Sequence, residues 1–402
     1  MSLSETLETL KIIHKSTIKY IDYEDNSEEN YVDLISQLND QKFHENKYKL
    51  KLYLQFLSDV IDNHYRANNF YEKIKKIIMN YKSNLKIDFS NSEIFNIFKN
   101  NKVILLFLIK EQILTIDNSI IDIILSERYS KMDYPKYFLP EITPFLPQKQ
   151  IKSFNIQIND DFEKNRKIGE NENYICELIR NDNIEDFISH VKKTNLKLNK
   201  LIDISIFESN QYLIGKNISI IEYATFFGSI QIFNYLYKNN ATIKPSIWLY
   251  AIHSDNPELI HVLEENQIEY PEEQKKSKYD EYDDSDNDEK DDKDDNILNC
   301  CIFESIKCHH NDISNYLSKK ASKEKFDFSK CLKYHNFEFI QIKNIGNLEF
   351  YKFCKYDYPY IVEMILKEKD IDINYAKISN LNKKVNGMFL TNFHVITNLF
   401  LF

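Results

Sequence analysis

The sequence predicts an all-α protein, a helical N-terminal region followed by a helix–turn–helix solenoid. Three observations carry that expectation. Only 5 of the 402 residues are Gly and 8 are Pro, too few for the tight turns of a sheet-rich enzyme, so helices joined by turns written in Asn, Asp and Lys are favoured. Apolar residues recur at steps of three and four over long stretches. From about Glu172 onward, pairs of short helical stretches repeat around a polar turn.

From the N-terminus, residues 1–130 form a helical region. Lys47–Tyr65 places Leu50, Leu52, Leu54, Phe56, Leu57, Val60 and Ile61 mostly on one side, and Phe70–Tyr81 sets Phe70, Ile74, Ile77, Ile78 and Tyr81 at helical steps. Asn91 and Ser92 are N-cap candidates for the helix EIFNIFK. The stretch Asn101–Asp117 reads either as the second helix of a degenerate hairpin over 92–117 or as the buried helix of a bundle, and periodicity does not separate the two. Four prolines in Tyr134–Pro147 forbid one continuous helix, so residues 131–171 read as a connector.

Beyond it, residues 172–270 and 297–375 carry the repeating pattern. Its turns are Asn181–Asn183, Phe227–Gly228, Ser254–Asn256, His309–Asp312 and Tyr356–Pro359, and each is followed by similar chemistry: NIEDFI, SIQIFNYL, PELIHVL, NDISNYL and PYIVEMIL. Ile232, Leu259, Ile313 and Ile361 fall in equivalent slots, at spacings of 27, 54 and 48 residues, which points to a unit near 27 with one long and one irregular gap. The best-formed copy is Ile218–Lys244. There Ile220, Ile221 and Ala224 form the inner face of one helix, Gly228 supplies the turn, and Ile230, Ile232, Phe233, Leu236 and Tyr237 cover the other. Ala224, with Ala251 in the same slot one repeat later, lets two helices approach closely. Ala224→Leu or Gly228→Val is therefore expected to split the stack.

Laid on IIEYATFFGSIQIFNYLYKNNATI, the segment Ser219–Ile243 resembles the ankyrin repeat. Glu222 stands where that family usually has the His of its T-P-L-H-x-A signature, Asn240 stands where it usually has Gly, and a spacing of 27 is shorter than the family's ~33 residues. Pro359–Asn374 resembles the family's second helix and closing turn. The whole layout, from about Leu7 to Asn374, is similar to the divergent, short-repeat ankyrin proteins expanded in some protists, whose helical N-terminal region NYVDLISQLNDQKF, FSNSEIFNIFKNNKVILLFLI and YPKYFLPEI resemble. The resemblance implies an ankyrin-like solenoid whose turns and first helices form a face for recognising other proteins.

The acidic run Glu272–Asn296 (271–296 as an interruption of the array) has almost nothing to bury and reads as a disordered insertion. It is either a solvated spacer or an acidic arm for a basic partner, and Ser285, with Asp288 three residues on, is placed like an acid-directed kinase substrate. A Ca²⁺ loop is not expected, since the central Gly and terminal Glu are missing. The tail 376–402 does not read as a polar capping repeat. It suggests an irregular cap or a chain shortened or misread relative to its relatives.

Chemistry is hard to find. The stretch Cys300–His310 holds Cys300, Cys301, Cys308, His309 and His310, but adjacent cysteines point apart and no second half-site lies nearby, so no metal site is expected. Cys301 and Cys308, seven apart on one helical face, read as core, as does the lone Trp248. There is no G-x-S-x-G, P-loop, G-x-G-x-x-G or H-E-x-x-H. No catalytic residue, cofactor or metal is expected, and no binding residue can be named. The net charge of −10 argues against nucleic acid as partner. MSLSETLETLKIIHK lacks the regions of a secretory signal, and Val103–Ile109 and the C-terminal apolar run fall short of the ~20 apolar residues of a spanning helix, so an intracellular, cytoplasmic or nuclear place is expected. Scattered cysteines suit a reducing compartment. The function these features suggest is a non-enzymatic protein–protein interaction module with a protein partner of unknown identity. The alternatives are a targeting arm for an activity in residues 1–165 and a self-associating scaffold.

Overall fold

The computed structural model describes residues 2–23, 27–67, 69–271, 298–321, 326–340 and 345–368. Among them lie 24 α-helices and no strand, so the protein is all-α; one isolated antiparallel bridge joins Leu201 to Ser219. The acidic run with Ser285, the closing turn over 369–374 and the tail 376–402 lie outside the described residues. No described helix is long and apolar enough to cross a membrane.

Helix starts follow local chemistry. Ser2, Ser90 and Ser219 each close a capping box with an acid three residues on, satisfying donors in both directions. The N-cap of Asn91–Phe98 is thus Ser90, not the expected Asn91 or Ser92, because only Ser90 has Glu93 at the reciprocal distance. Glu222 is the capping-box partner of Ser219, accepting from its backbone N–H at 2.8 Å.

Helix ends follow one rule, and it explains how a glycine-poor chain makes so many turns. Each of the four hairpins between Tyr174 and Lys320 turns through a residue of positive φ: Asp182 (45°), Gly228 (71°), Asp255 (50°) and His309 (59°). In three of them the next residue donates back to a carbonyl five positions earlier, Asn183 to Leu178, Ser229 to Ala224 and His310 to Ser305, at 2.9–3.0 Å. This is the Schellman ending, which Asp, Asn and His can adopt at modest cost when glycine is absent. Three of the second helices end alike, at Asn195, Asn240 and Gln267.

The chain divides into two units by its contacts. The first combines Met1–Asp59 and Arg66–Asp88 with the described part of Phe326–Phe402; the second combines Val60–Tyr65 with the described part of Phe89–Lys325. In the first unit, helix Leu3–Asp22 packs on Ser27–Asp40 and Phe70–Asn80, and also on Pro359–Glu368 from the other end of the sequence. Leu3 N–H donates to Glu368 at 2.8 Å, Lys51 Nζ and Gln55 Nε2 both donate to the Asp357 carboxylate at 2.6 and 2.9 Å, and His335 Nδ1 lies 2.6 Å from Asp59. Phe56 meets Phe337 with ring centroids 5.4 Å apart. The described residues from Phe326 on therefore pack with N-terminal helices, whereas the sequence pattern grouped them with the repeats. Pattern reveals an apolar face but not what covers it.

In the second unit, the stretch read as a connector is a run of short helices: Tyr134–Tyr137, Leu139–Ile142, Gln148–Ser153 and Asp160–Ile168. Pro135 and Pro140 sit in first turns, where the missing N–H costs nothing, and Tyr134, Tyr137 and Phe138 are fully buried. Proline here starts helices instead of separating domains. Asn91–Phe98 and Lys102–Lys110 pack on one another, and Val103, Ile104, Leu105, Leu106 and Leu108 are buried.

Lys102 is buried there at 1% exposure, with Nζ donating to the Ile206 carbonyl at 2.8 Å. Burial pushes its ammonium down to about 8, against the pull of Glu208 and Asp133. The unfolded chain keeps that proton up to about pH 10.4. Between these values the unfolded state binds more protons, so the lysine's contribution to stability improves as pH rises and its full cost is present below about pH 8. Relative to Lys102→Met, the wild-type chain is expected to gain on the order of 3 kcal/mol between pH 8 and 10.5. Paired urea titrations across that window check it, and buried tyrosines common to both chains cancel in the difference.

Candidate functional site

The four hairpins pair helix Tyr174–Arg180 with Ile184–Thr194, Ile220–Phe226 with Ile230–Lys238, Ile247–His253 with Pro257–Glu265, and Asn299–Lys307 with Asn311–Lys320. Each first helix packs on the first helix of the next hairpin. Ala224 and Ala251 are fully buried at those contacts, as are Ile232 and Leu259 on the second helices, while Ile313 is half-buried.

The turns also interlock. The Asp182 carboxylate of the first turn accepts from the N–H groups of Gln231 and Ile232, both at 3.0 Å, capping the second helix of the next hairpin. Asn256 Nδ2 donates to the Gly228 carbonyl at 3.1 Å, and His310 Nδ1 lies 3.1 Å from Asp255 Oδ1. Ser229 Oγ donates to the Ile179 carbonyl at 2.5 Å. A side chain at each turn thus reaches an adjoining turn, helix start or helix end. At the opposite edge Lys200–Ile202 runs beside Ile218–Ile220, with Ile202 N–H donating to the Ile218 carbonyl at 2.7 Å. Beside that edge Tyr174, Leu201 and Ile204 are exposed by 51%, 46% and 70%.

One cluster of chemistry-bearing residues lies between the third and fourth hairpins. His253, at the end of Ile247–His253, is 1% exposed and Cys308, at the turn of the fourth hairpin, is fully buried. Glu304, one helical turn before Cys308, faces both. His253 Nε2 lies 2.6 Å from Glu304 Oε1, and Cys308 Sγ lies 3.3 Å from His253 Nδ1 and 3.7 Å from Nε2. Burial acts to raise the Glu304 carboxyl, but Lys307 at 3.0 Å and the bond to His253 outweigh it and hold it well below the usual range. Burial pushes the His253 imidazolium down to about 4 despite Glu304. The Cys308 thiol is pushed well up by burial and by the Glu304 charge. An ionised carboxylate only accepts, so His253 Nε2–H donates to Glu304 and leaves Nδ1 to accept the Cys308 S–H.

Aromatic rings fix this arrangement. Tyr212 lies over His253 with centroids 4.1 Å apart and Phe226 stacks at 5.2 Å. His64 Nδ1–H donates to the Cys308 carbonyl at 2.6 Å. A thiol with no exposed surface is not a nucleophile for an external substrate. The three donor atoms nevertheless lie within 4.8 Å of one another, which is a possible ligand set.

Of the residues singled out in the sequence, Cys301 is fully buried and apart from this set, Cys300 donates weakly to the Pro271 carbonyl at 3.2 Å, and Trp248 is 1% exposed with Nε1–H donating to the Ile268 carbonyl at 3.0 Å. His309 and His310 occupy the turn, buried. His253 and Glu304 were not singled out. The signal for Glu304 was its i, i+4 spacing to Cys308; His253, 51 residues before Glu304, gave none. Compared with protein-family models, curated proteins and solved structures, the chain matches none.

Proposed function

We propose that the chain is a non-enzymatic protein-interaction module of the divergent ankyrin kind, built on the four hairpins Tyr174–Lys320. The observation that carries this reading is the interlocking of successive turns together with first-helix-on-first-helix packing. That arrangement is a stack in which no unit buries its apolar face alone. A stack of this kind offers an extended edge, and the exposed Tyr174, Leu201 and Ile204 beside the Lys200–Ile202 loop supply apolar anchors there. The partner is a protein. Recognition by such an edge needs no catalytic group, which agrees with a chain whose clustered thiol is buried.

The test is co-purification of the tagged full chain from its native cells, beside a chain lacking Glu272–Asn296 and a Tyr174→Glu/Ile204→Glu variant. The expected result is a stoichiometric protein held by the first two and lost from the third. A partner lost with the acidic run moves recognition to that run, and none held by any version removes the proposal.

A further inference from the structure

From the three donors His253, Glu304 and Cys308 we infer a binding site for one divalent transition-metal ion of the zinc class, fastening the third hairpin to the fourth. One imidazole nitrogen, one thiolate sulfur and one carboxylate oxygen are the donors zinc favours, and the sulfur disfavours Mg²⁺ and Ca²⁺. Tetrahedral zinc, with bonds of about 2.0–2.3 Å, sets neighbouring donor atoms roughly 3.4–3.6 Å apart. Cys308 Sγ stands 3.7 Å from His253 Nε2 and 3.3 Å from Nδ1, beside the ring, so the imidazole has to turn to bring the sulfur and Nε2 onto one ion. Glu304 Oε1, at 2.6 Å from the same nitrogen, has to withdraw by less than ~1 Å for that spacing. Its side chain, 15% exposed against 1% for His253, is the donor with room to do so.

The surroundings are those of held ligands. Lys307 orients the Glu304 carboxylate, His64 holds the Cys308 main chain, and Tyr212 and Phe226 pack on the imidazole. Three protein donors leave one of zinc's four places to another ligand. On binding, the Cys308 thiol gives up its proton to solvent and the imidazole keeps one N–H, on the nitrogen that does not ligate. No second half-site lies near Cys300–His310 in the sequence, because His253 comes from the preceding hairpin, across the acidic run. A cross-link spanning that long segment is where a metal clip offsets the most loop-closure entropy.

The test uses the full chain, stripped with a chelator and titrated with Co²⁺ and then Zn²⁺. The expected result is thiolate-to-cobalt charge-transfer absorption that saturates at one equivalent and is bleached by Zn²⁺. It is expected to vanish in Cys308→Ser and to persist in Cys301→Ser. The acidic run cannot produce this signal, because it contains no thiol. His253→Gln, expected to turn stoichiometric binding weak, serves if Cys308→Ser fails to fold by circular dichroism. No charge-transfer band in the wild-type chain, or a band unchanged in Cys308→Ser or His253→Gln, overturns the site.

Discussion

Arg166→Ala is expected to lower the stability of the second unit by about 3–5 kcal/mol, the usual cost of removing one partner from a buried ionic network. The guanidinium is 1% exposed. Its Nη1 donates to the Tyr137 carbonyl at 2.9 Å and to Glu141 at 2.6 Å, and Nη2 donates to Glu141 at 3.1 Å and to Glu163 at 2.5 Å. Tyr137 answers by donating its hydroxyl to the Arg166 carbonyl at 2.5 Å. Alanine leaves the Glu141 carboxylate, 14% exposed, without its bidentate partner. The single Trp248 lies in the same unit and reports its unfolding by fluorescence. The melting midpoint should fall by about 6–20 °C for a unit of this size. Combining Arg166→Ala with Glu141→Gln should cost less than the sum of the two, since both act on one network. Additive effects would show that Arg166 and Glu141 are not coupled and would overturn the network reading.

Gly169→Ala is expected to cost about 2–5 kcal/mol, and Gly228→Ala only about 1–2, although both glycines have φ of +71°. The backbone strain is common to the two. At Gly169 a Cβ would lie 2.1 Å from Val103 Cγ2 and 2.9 Å from Ser209 Oγ, and the Gly169 carbonyl is held by both the N–H and hydroxyl of Ser209. At Gly228 the nearest atoms, on Asn256 and Ser254, are at an ordinary 3.6 Å. Urea midpoints of the two variants, read by Trp248, measure the difference. Val103→Ala should recover part of the Gly169→Ala loss and none of the Gly228→Ala loss. Equal costs would show that strain alone governs both positions.

Those two glycines also show how far the sequence could be read. Gly228 was legible as a turn because it interrupts a helical apolar rhythm. The same rhythm located the turns at Asp182, Asp255, His309 and Asp357. Gly169 was illegible, because its constraint comes from Val103 and Ser209, which only the fold brings close. A further turn was missed at His335, 26 residues after His309 and 22 before Asp357, where Asn336 N–H donates to the Cys331 carbonyl at 2.9 Å. Its second arm, Phe337–Phe339, is one 3₁₀ turn, too short to show a period, so the gap of 48 looked irregular. The crowding expected at Ala224 rests on residue size within one helix and was readable. The meeting of His253 with Glu304 and Cys308 was not, since sequence spacing constrains partners within an element and says little of partners from different elements.

Helix Leu3–Asp22 is made long before its partner Pro359–Glu368. Roughly 240 residues lie between Asp88 and Phe326, and at about 5–20 residues per second their synthesis takes roughly 10–50 s. Throughout that interval Leu7, Leu10, Ile13 and Tyr20 are synthesised without the segment that completes their core. The second unit completes its own sequence at Lys325, just before the closing segment of the first unit begins. Vectorial synthesis thus leaves the earlier part of the first unit waiting for its later part, and a nascent-chain chaperone has most to gain by holding the helices within 3–88 during that interval.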